Sequence, residues 1–124
     1  MTSDKLNDFY EVDEFDHPIT LAVNVGFGKN AISIVLLNNK MIYGPESDGS
    51  FMRSFEKILG QSRELNGKKL QLITLVLANE EKTYETSLVI SLSGGPAYYA
   101  QKLEAYSPET NGFVKYSIGI RFCK

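Results

Sequence analysis

The stretch that decides the fold reads VKYSIGIRF and occupies residues 114–122. Its apolar residues stand at every second position and alternate with polar or small ones. Because successive side chains of a β-strand point to opposite faces, this period of two is typical of a strand with one face in a core. Further stretches follow the same rule, among them residues 19–27 and 84–92. The chain is therefore predicted to be an antiparallel all-β protein.

Turn signals divide the rest of the chain into further strands. We expect short strands over residues 31–37 and 41–43, joined by the turn pair Asn38-Asn39. Asn66-Gly67 is the strongest hairpin signal and predicts a two-residue turn between strands 61–65 and 68–78. The strands over 31–37 and 68–78 are apolar on both faces for part of their length, which favours central positions in a sheet. Residues 41–43 and 98–106 are candidates for edge strands.

One segment has the spacing of a helix. Its apolar residues Phe51, Phe55, Ile58 and Leu59 follow Ser50, a suitable N-cap, and precede Gly60, a suitable stop. The sequence therefore predicts a two-sheet antiparallel sandwich of about eight strands, with one short helix at about 51–59. A closed eight-stranded barrel is the alternative architecture. One domain over residues 18–124 is expected, preceded by an acidic N-terminal arm over residues 1–17.

Composition bounds the class of protein. The 124 residues are 43% hydrophobic and 23% charged, which is typical of a folded domain. No apolar run approaches the roughly 18 residues of a membrane helix, so no integral membrane association is expected. The start is polar and acidic and does not resemble a secretory signal. Cys123 is the single cysteine and has no partner within the chain, which favours a reducing, cytoplasmic location.

The net charge of −2 conceals a division of the chain. Residues 1–17 contain six carboxylates and one lysine, which gives −5. The remaining residues contain 12 basic and 9 acidic side chains, which gives +3. The arm could remain solvated, fold over a basic face of its own chain, or reach a basic partner. Its candidate interaction residues are Asp13, Glu14 and Asp16.

The sequence offers little support for catalysis. His17 is the single histidine, and Cys123 lies at the penultimate position, so neither a histidine base nor a cysteine nucleophile has an evident partner. A structural zinc site needs four nitrogen or sulfur ligands, which the chain does not supply. The glycines of GFGK at residues 26–29 lack the spacing of a phosphate-binding loop. We therefore expect a protein that is not an enzyme and that has no cofactor.

Two binding functions stay open as alternatives. A calcium-dependent β-sandwich module would use carboxylates of the arm and of the loop after residue 43, because calcium takes six to eight oxygen ligands. The candidate ligands are Asp13, Asp16, Glu46 and Asp48. A small-ligand or lipid-binding barrel would instead enclose an apolar cavity between its strands.

The leading prediction is a non-enzymatic interaction or assembly subunit. Tyrosine offers large contact area with a polar tip and is favoured at protein interfaces. The edge candidate over 98–106 carries such residues together with a lysine: Tyr98, Tyr99, Lys102 and Tyr106. Because the chain is acidic overall and Glu104 interrupts this strand, nucleic-acid binding is not expected. The expected partner is another protein or a second copy of the chain, bound through a sheet edge, this strand and the acidic arm.

Overall fold

The structure, a computed structural model, describes residues 2–26, 30–44, 54–78, 85–106 and 112–124. Within these ranges the chain forms strands and one four-residue helix. The elements in chain order are β1 (Thr2–Glu11), β2 (Pro18–Val25), β3 (Ala31–Leu37), β4 (Lys40–Tyr43), β5 (Ser54–Gln61), α1 (Ser62–Leu65), β6 (Lys69–Ala78), β7 (Glu85–Ser93), β8 (Tyr99–Tyr106) and β9 (Gly112–Cys123). In this part of the chain no helix is long and apolar enough to span a membrane.

The strands form two sheets that pack face to face. The five-stranded sheet has the order β1-β9-β6-β3-β4, and the four-stranded sheet has the order β5-β2-β7-β8. All neighbouring strands are antiparallel except β1, which runs parallel to β9. The predicted all-β two-sheet sandwich is confirmed. The alternative of a closed barrel is wrong, because each described sheet ends in two edge strands and neither closes on itself.

The core lies between the two sheets and follows the predicted alternation. In β9 every even-numbered residue from Val114 to Phe122 is buried. Leu21 and Val23 of β2 and Leu88 of β7 line the opposite sheet and are also buried. A hydroxyl contact crosses the core, since Tyr116 Oη lies 2.6 Å from Thr86 Oγ1. Burial on one face of each sheet is the main source of stability for this architecture.

The helix lies elsewhere than the sequence predicted. Residues 54–61 form strand β5, and the helix occupies Ser62–Leu65, so the prediction of a helix at 51–59 is wrong for the residues that the structure describes. A spacing of four residues fits a strand as well as a helix, and it places Phe55 and Leu59 on one buried face. Ile58, which helical spacing would bury, is 63% exposed. The pairing of β5 with β2 thus overrides the helical pattern; Ser50 and Phe51 lie outside the described residues.

The two predicted turns have different outcomes. Asn38 and Asn39 both have positive φ angles, 49° and 66°, as a two-residue hairpin between β3 and β4 requires, which confirms that turn. Asn66-Gly67 instead connects helix α1 to β6, so its predicted hairpin is wrong. Asn66 has φ −55° and ψ 127°, and Gly67 has φ 82°, which are the angles of a type II turn. The Lys68 amide closes this turn by donating to the Leu65 carbonyl at 2.9 Å.

Strand positions agree with the apolar patterns. The strands that are apolar on both faces, β3 and β6, lie inside the five-stranded sheet, and β4 and β8 are edges. The acidic segment 1–17 contributes strand β1 to the other edge of the five-stranded sheet. Residues 12–17 then connect β1 to β2 and pass over helix α1.

Candidate functional site

The tyrosine-bearing strand does not present its four candidate residues together. Tyr98 and Tyr106 are 72% and 64% exposed, and they are eight positions apart along an extended chain, a distance of about 26 Å. Lys102 faces solvent between them and forms an ion pair with Glu104 at 3.6 Å. Tyr99 points to the opposite side, toward the edge of the core, so the strand splits the candidate patch between two faces.

Tyr99 helps to close one edge of the sandwich, where β8 lies opposite β1. Its hydroxyl donates to Asp8 Oδ2 at 2.8 Å, and its ring meets the ring of Tyr10 edge-on at 6.3 Å. The Tyr10 hydroxyl donates to the Ala97 carbonyl at 2.7 Å and accepts from the Gly95 amide at 3.1 Å. Burial, followed by the hydrogen bond to Asp8, raises the pKa of Tyr99 well above the usual tyrosine value. These contacts give Tyr99 a structural role.

The raised pKa of Tyr99 predicts a loss of stability in alkali. An unfolded tyrosine releases its proton near pH 10, whereas folded Tyr99 retains it, so the native state binds more protons above about pH 10. The contribution of Tyr99 to the free energy of unfolding should therefore be fully present below about pH 10 and be lost progressively above it. We expect Tyr99→Phe to reduce this fall in urea unfolding curves recorded from pH 9 to 11. Tyr98→Phe, at an exposed position, should keep the wild-type slope; equal slopes in all three proteins would contradict the prediction.

Three acidic residues of the arm, Asp13, Glu14 and Asp16, lie on the turn between β1 and β2, which we call the acidic turn (residues 12–17); the other three lie on β1. Asp16 forms an ion pair with Arg63, and Lys124 Nζ donates to Glu14 Oε1 at 2.6 Å. This hydrogen bond and the charge of Lys124 lower the pKa of Glu14. Asp13 lies 3.8 Å from the imidazole of His17. The turn therefore folds onto basic groups of its own chain, one of the three possibilities that the sequence left open.

Phe15 stands out in the centre of the acidic turn. Its side chain is 66% exposed, although its backbone is held on both sides. The Phe15 amide donates to Asp13 Oδ1 at 3.0 Å, and the Phe15 carbonyl accepts from the Arg63 amide at 3.3 Å. The turn is further fixed to α1, because Ser62 Oγ accepts from the Asp13 amide at 2.8 Å and the Ser62 amide donates to the His17 carbonyl at 2.8 Å. An aromatic side chain is thus presented to solvent on a well-supported backbone.

The predicted calcium ligands are not brought together by what the structure describes. Glu46 and Asp48 lie outside the described residues. Asp13 and Asp16 belong to the acidic turn, where Asp16 pairs with Arg63. Among the described residues no group of three or more His, Cys, Asp or Glu side chains could hold a metal ion.

The outward-facing side of the five-stranded sheet, which we call the outer face, is a surface that the sequence-based site prediction missed. Its central strands β3 and β6 present aliphatic side chains on the side away from the core. These side chains are partly exposed and lie next to one another across the strand pair: Ile32, Ile34, Leu36, Ile73, Leu75 and Leu77. Met41 lies opposite Leu36 and Phe113 opposite Leu77, so both extend this surface; they are 55% and 36% exposed. Phe9, which is 65% exposed, lies apart on β1, beyond Arg121 and Lys69. An apolar surface of this kind marks an interaction site in many proteins.

The outward-facing side of the four-stranded sheet provides an internal comparison. The strands β2 and β7 at its centre carry mainly small or polar residues there: Thr20, Ala22, Asn24, Ser87, Val89, Ser91 and Ser93. This is the usual pattern of an antiparallel sheet with one face in water. The large exposed side chains of this sheet, Ile58, Tyr98 and Tyr106, lie toward its edges. The centres of the two sheets therefore differ, and only the centre of the outer face is aliphatic.

Basic residues flank a polar depression on the β1 side of the outer face. The depression has a volume of about 290 Å³, and Asn7, Gln71, Ser117 and Gly119 form its floor and walls together with three lysines. The register places Lys5 and Lys115 as diagonal neighbours near one end, and Lys69 directly opposite Arg121 near the other end. Gly119 keeps the depression open, because a Cβ there would lie 2.8 Å from Asn7 Oδ1.

Comparison with known proteins adds no functional information. No protein-family model, no curated protein and no solved structure matches this chain.

Proposed function

We propose that the protein is a non-enzymatic assembly subunit, which associates with further copies of itself through the outer face. The observation that carries this proposal is the row of aliphatic side chains on the solvent side of β3 and β6. A sheet surface in water normally carries polar side chains there, as the centre of the four-stranded sheet of the same molecule mainly does. The parts of these side chains that remain in water are unfavourable by about 25 cal/mol per Å², so covering them favours association.

The size of the outer face suits an interface between two proteins. Five strands spaced about 4.8 Å apart and about nine residues long give a surface of roughly 24 Å by 30 Å, or about 700 Å². A standard interface buries about 800 Å² on each partner. The outer face is thus large enough to support a specific and stable contact.

The charge distribution supports a second copy of the chain as the occupant. Four basic side chains lie on the outer face, against one carboxylate, Glu11, at the end of β1: Lys5, Lys69, Lys115 and Arg121. Direct stacking of two outer faces would bring these like charges together, which is unfavourable. The same chain has a strongly acidic segment in residues 1–17, so one copy can supply the negative surface that the outer face of another copy attracts.

The test of this proposal places a charge in the middle of the aliphatic row. We expect the wild-type protein to sediment as a dimer or larger oligomer, and Ile73→Lys to weaken association by at least about 30-fold, the effect of losing an interface hot spot. The matched control is Val89→Lys, which makes a similar change on the central part of the four-stranded sheet and should retain wild-type association. Sedimentation velocity over a range of concentrations measures both, and circular dichroism checks that each variant is folded.

Either of two results would overturn the proposal. One is a wild-type protein that stays monomeric at the highest soluble concentration. The other is an oligomer that Ile73→Lys and Val89→Lys weaken equally, since the outer face would then have no special role.

A further inference from the structure

We infer that the part of the second copy that docks on the outer face is its acidic turn, with Phe15 as the anchor and the neighbouring carboxylates against the basic residues. This inference rests on the proposed self-association and adds the two surfaces that meet. It joins two features: an exposed aromatic side chain among carboxylates, whose one ring contact is with exposed His17 at 6.0 Å in the described structure, and an apolar surface bordered by basic side chains.

The acidic turn has the properties of an interface anchor. Interface hot spots combine a large side chain with a backbone that loses little freedom on binding. Phe15 is 66% exposed, and the hydrogen bonds of its own amide and carbonyl groups to Asp13 and Arg63 already fix its position. Burying its ring against aliphatic side chains of a second copy therefore costs little ordering of the backbone.

The outer face has a complementary arrangement. Across the strands, Ile73 lies opposite Ser117, and Ser117 lies opposite Lys5, so the aliphatic row passes into the polar depression within about 10 Å. Lys5 lies opposite Ser117 of β9 and Lys69 lies opposite Arg121 of the same strand. These two positions are four residues apart along β9, or about 13 Å. An apolar ring with carboxylates on either side can thus contact the aliphatic row and basic residues at the same time.

The carboxylates of the turn are available for this exchange. The side chains of the Asp16–Arg63 pair are 63% and 59% exposed, and those of the Glu14–Lys124 pair are 76% and 45% exposed. Exposed ion pairs contribute little to stability, so shifting one of these carboxylates toward a basic residue of a second copy is inexpensive. The three carboxylates of the acidic turn, Asp13, Glu14 and Asp16, then lie against the basic side chains of the outer face of the second copy.

A protein surface suits the outer face better than a nucleic acid. Phosphates would engage the basic residues and leave the neighbouring aliphatic row uncovered. Single-stranded nucleic acids also stack their bases on aromatic residues, whereas the centre of the outer face is aliphatic. The acidic turn supplies both the negative charge and the apolar ring.

Removing the anchor gives the first test. We expect Phe15→Ala to weaken self-association by at least about 30-fold, as measured by sedimentation velocity. Tyr98→Ala is the matched control, because Tyr98 is equally prominent at 72% exposure but lies next to the four-stranded sheet. It should retain wild-type association. Neither residue is buried, so both variants should keep the wild-type unfolding temperature.

A charge exchange gives the second and sharper test. Lys69→Glu and Glu14→Lys should each reduce self-association by about tenfold or more and make it less sensitive to salt. A mixture of the two variants should recover association, because the new glutamate of one copy then faces the new lysine of the other. Lys102→Glu, on the four-stranded sheet, should self-associate as the wild type does. Mixing it with Glu14→Lys should not restore the association that Glu14→Lys has lost.

The outcomes separate this inference from the proposed function. If Ile73→Lys dissociates the oligomer while Phe15→Ala and the charge exchange have no effect, the outer face is an interface but the acidic turn is not its occupant. If the wild-type protein is monomeric, both proposals fail. If the wild type shifts a short DNA duplex in a gel and Lys69→Glu abolishes the shift, the basic residues serve a nucleic acid and the inference is overturned.

Discussion

Gly94→Ala should lower the free energy of unfolding by about 3 kcal/mol, because backbone strain and overpacking each cost about 1 to 3 kcal/mol and both act here. Gly94 follows β7 with φ 99°, a conformation that residues with a Cβ rarely adopt. A Cβ would also lie 2.0 Å from the carbonyl oxygen of Pro18, where β2 begins. A backbone carbonyl cannot rotate away as a side chain can, so the start of β2 must shift.

Thermal or urea unfolding measures this effect, with Gly67→Ala as the control. Gly67 also has a positive φ angle, 82°, but a Cβ there would meet nothing within 4 Å. Gly67→Ala should therefore lower the free energy of unfolding only by the strain of the positive φ angle, about 1 kcal/mol. For a chain of this size, the difference between the two variants corresponds to roughly 5 to 10 °C in Tm. Equal losses would show that the contact with Pro18 does not constrain the fold.

Phe122→Ala is expected to have the largest effect of a single core truncation, about 3 to 5 kcal/mol. Phe122 is completely buried near the end of β9, and its ring meets the ring of Tyr10 edge-on at 6.1 Å. Its backbone contacts do not depend on the side chain, since its amide donates to Lys68 and its carbonyl accepts from Gly67. The loss therefore reports the burial of the ring and the cavity that remains.

Phe113→Ala is the matched control on the same strand. Phe113 is 36% exposed on the outer face, so its removal should cost about 1 kcal/mol or less at concentrations too low for self-association. Urea unfolding at such a concentration compares the two variants. A small effect of Phe122→Ala, close to that of Phe113→Ala, would contradict the inner and outer faces that we assign to β9.

The sequence allowed prediction of the sandwich because burial on one face imposes a period of two. That signal is clear in residues 114–122 and 19–25, and both segments form the expected strands. It failed at Phe55 and Leu59, whose spacing of four residues is compatible with two kinds of element. Only the pairing of β5 with β2, set by residues distant in sequence, decides between them.

The candidate site was predicted less well than the fold. The acidic turn was identified from its charge, but its contacts with Arg63 and Lys124 depend on how the chain folds. The outer face was missed although its signal was present: β3 and β6 are apolar at consecutive positions, which the sequence analysis explained by central location alone. The solvent side of such a strand also requires a cover, and in this molecule no described element supplies one for Ile34 or Ile73.

The parallel pairing of β1 with β9 sets an order on folding. In the described structure, the only strand that pairs with β1 is β9, and the paired residues Thr2 and Val114 are 112 positions apart in the sequence. The centre of the same sheet, β6, also needs β9 as one of its two neighbours. During synthesis the ribosome therefore releases the first strand long before its partner exists, and this strand must wait with its backbone unpaired. Contacts so distant in sequence slow folding and prolong the time in which strand edges are exposed to aggregation.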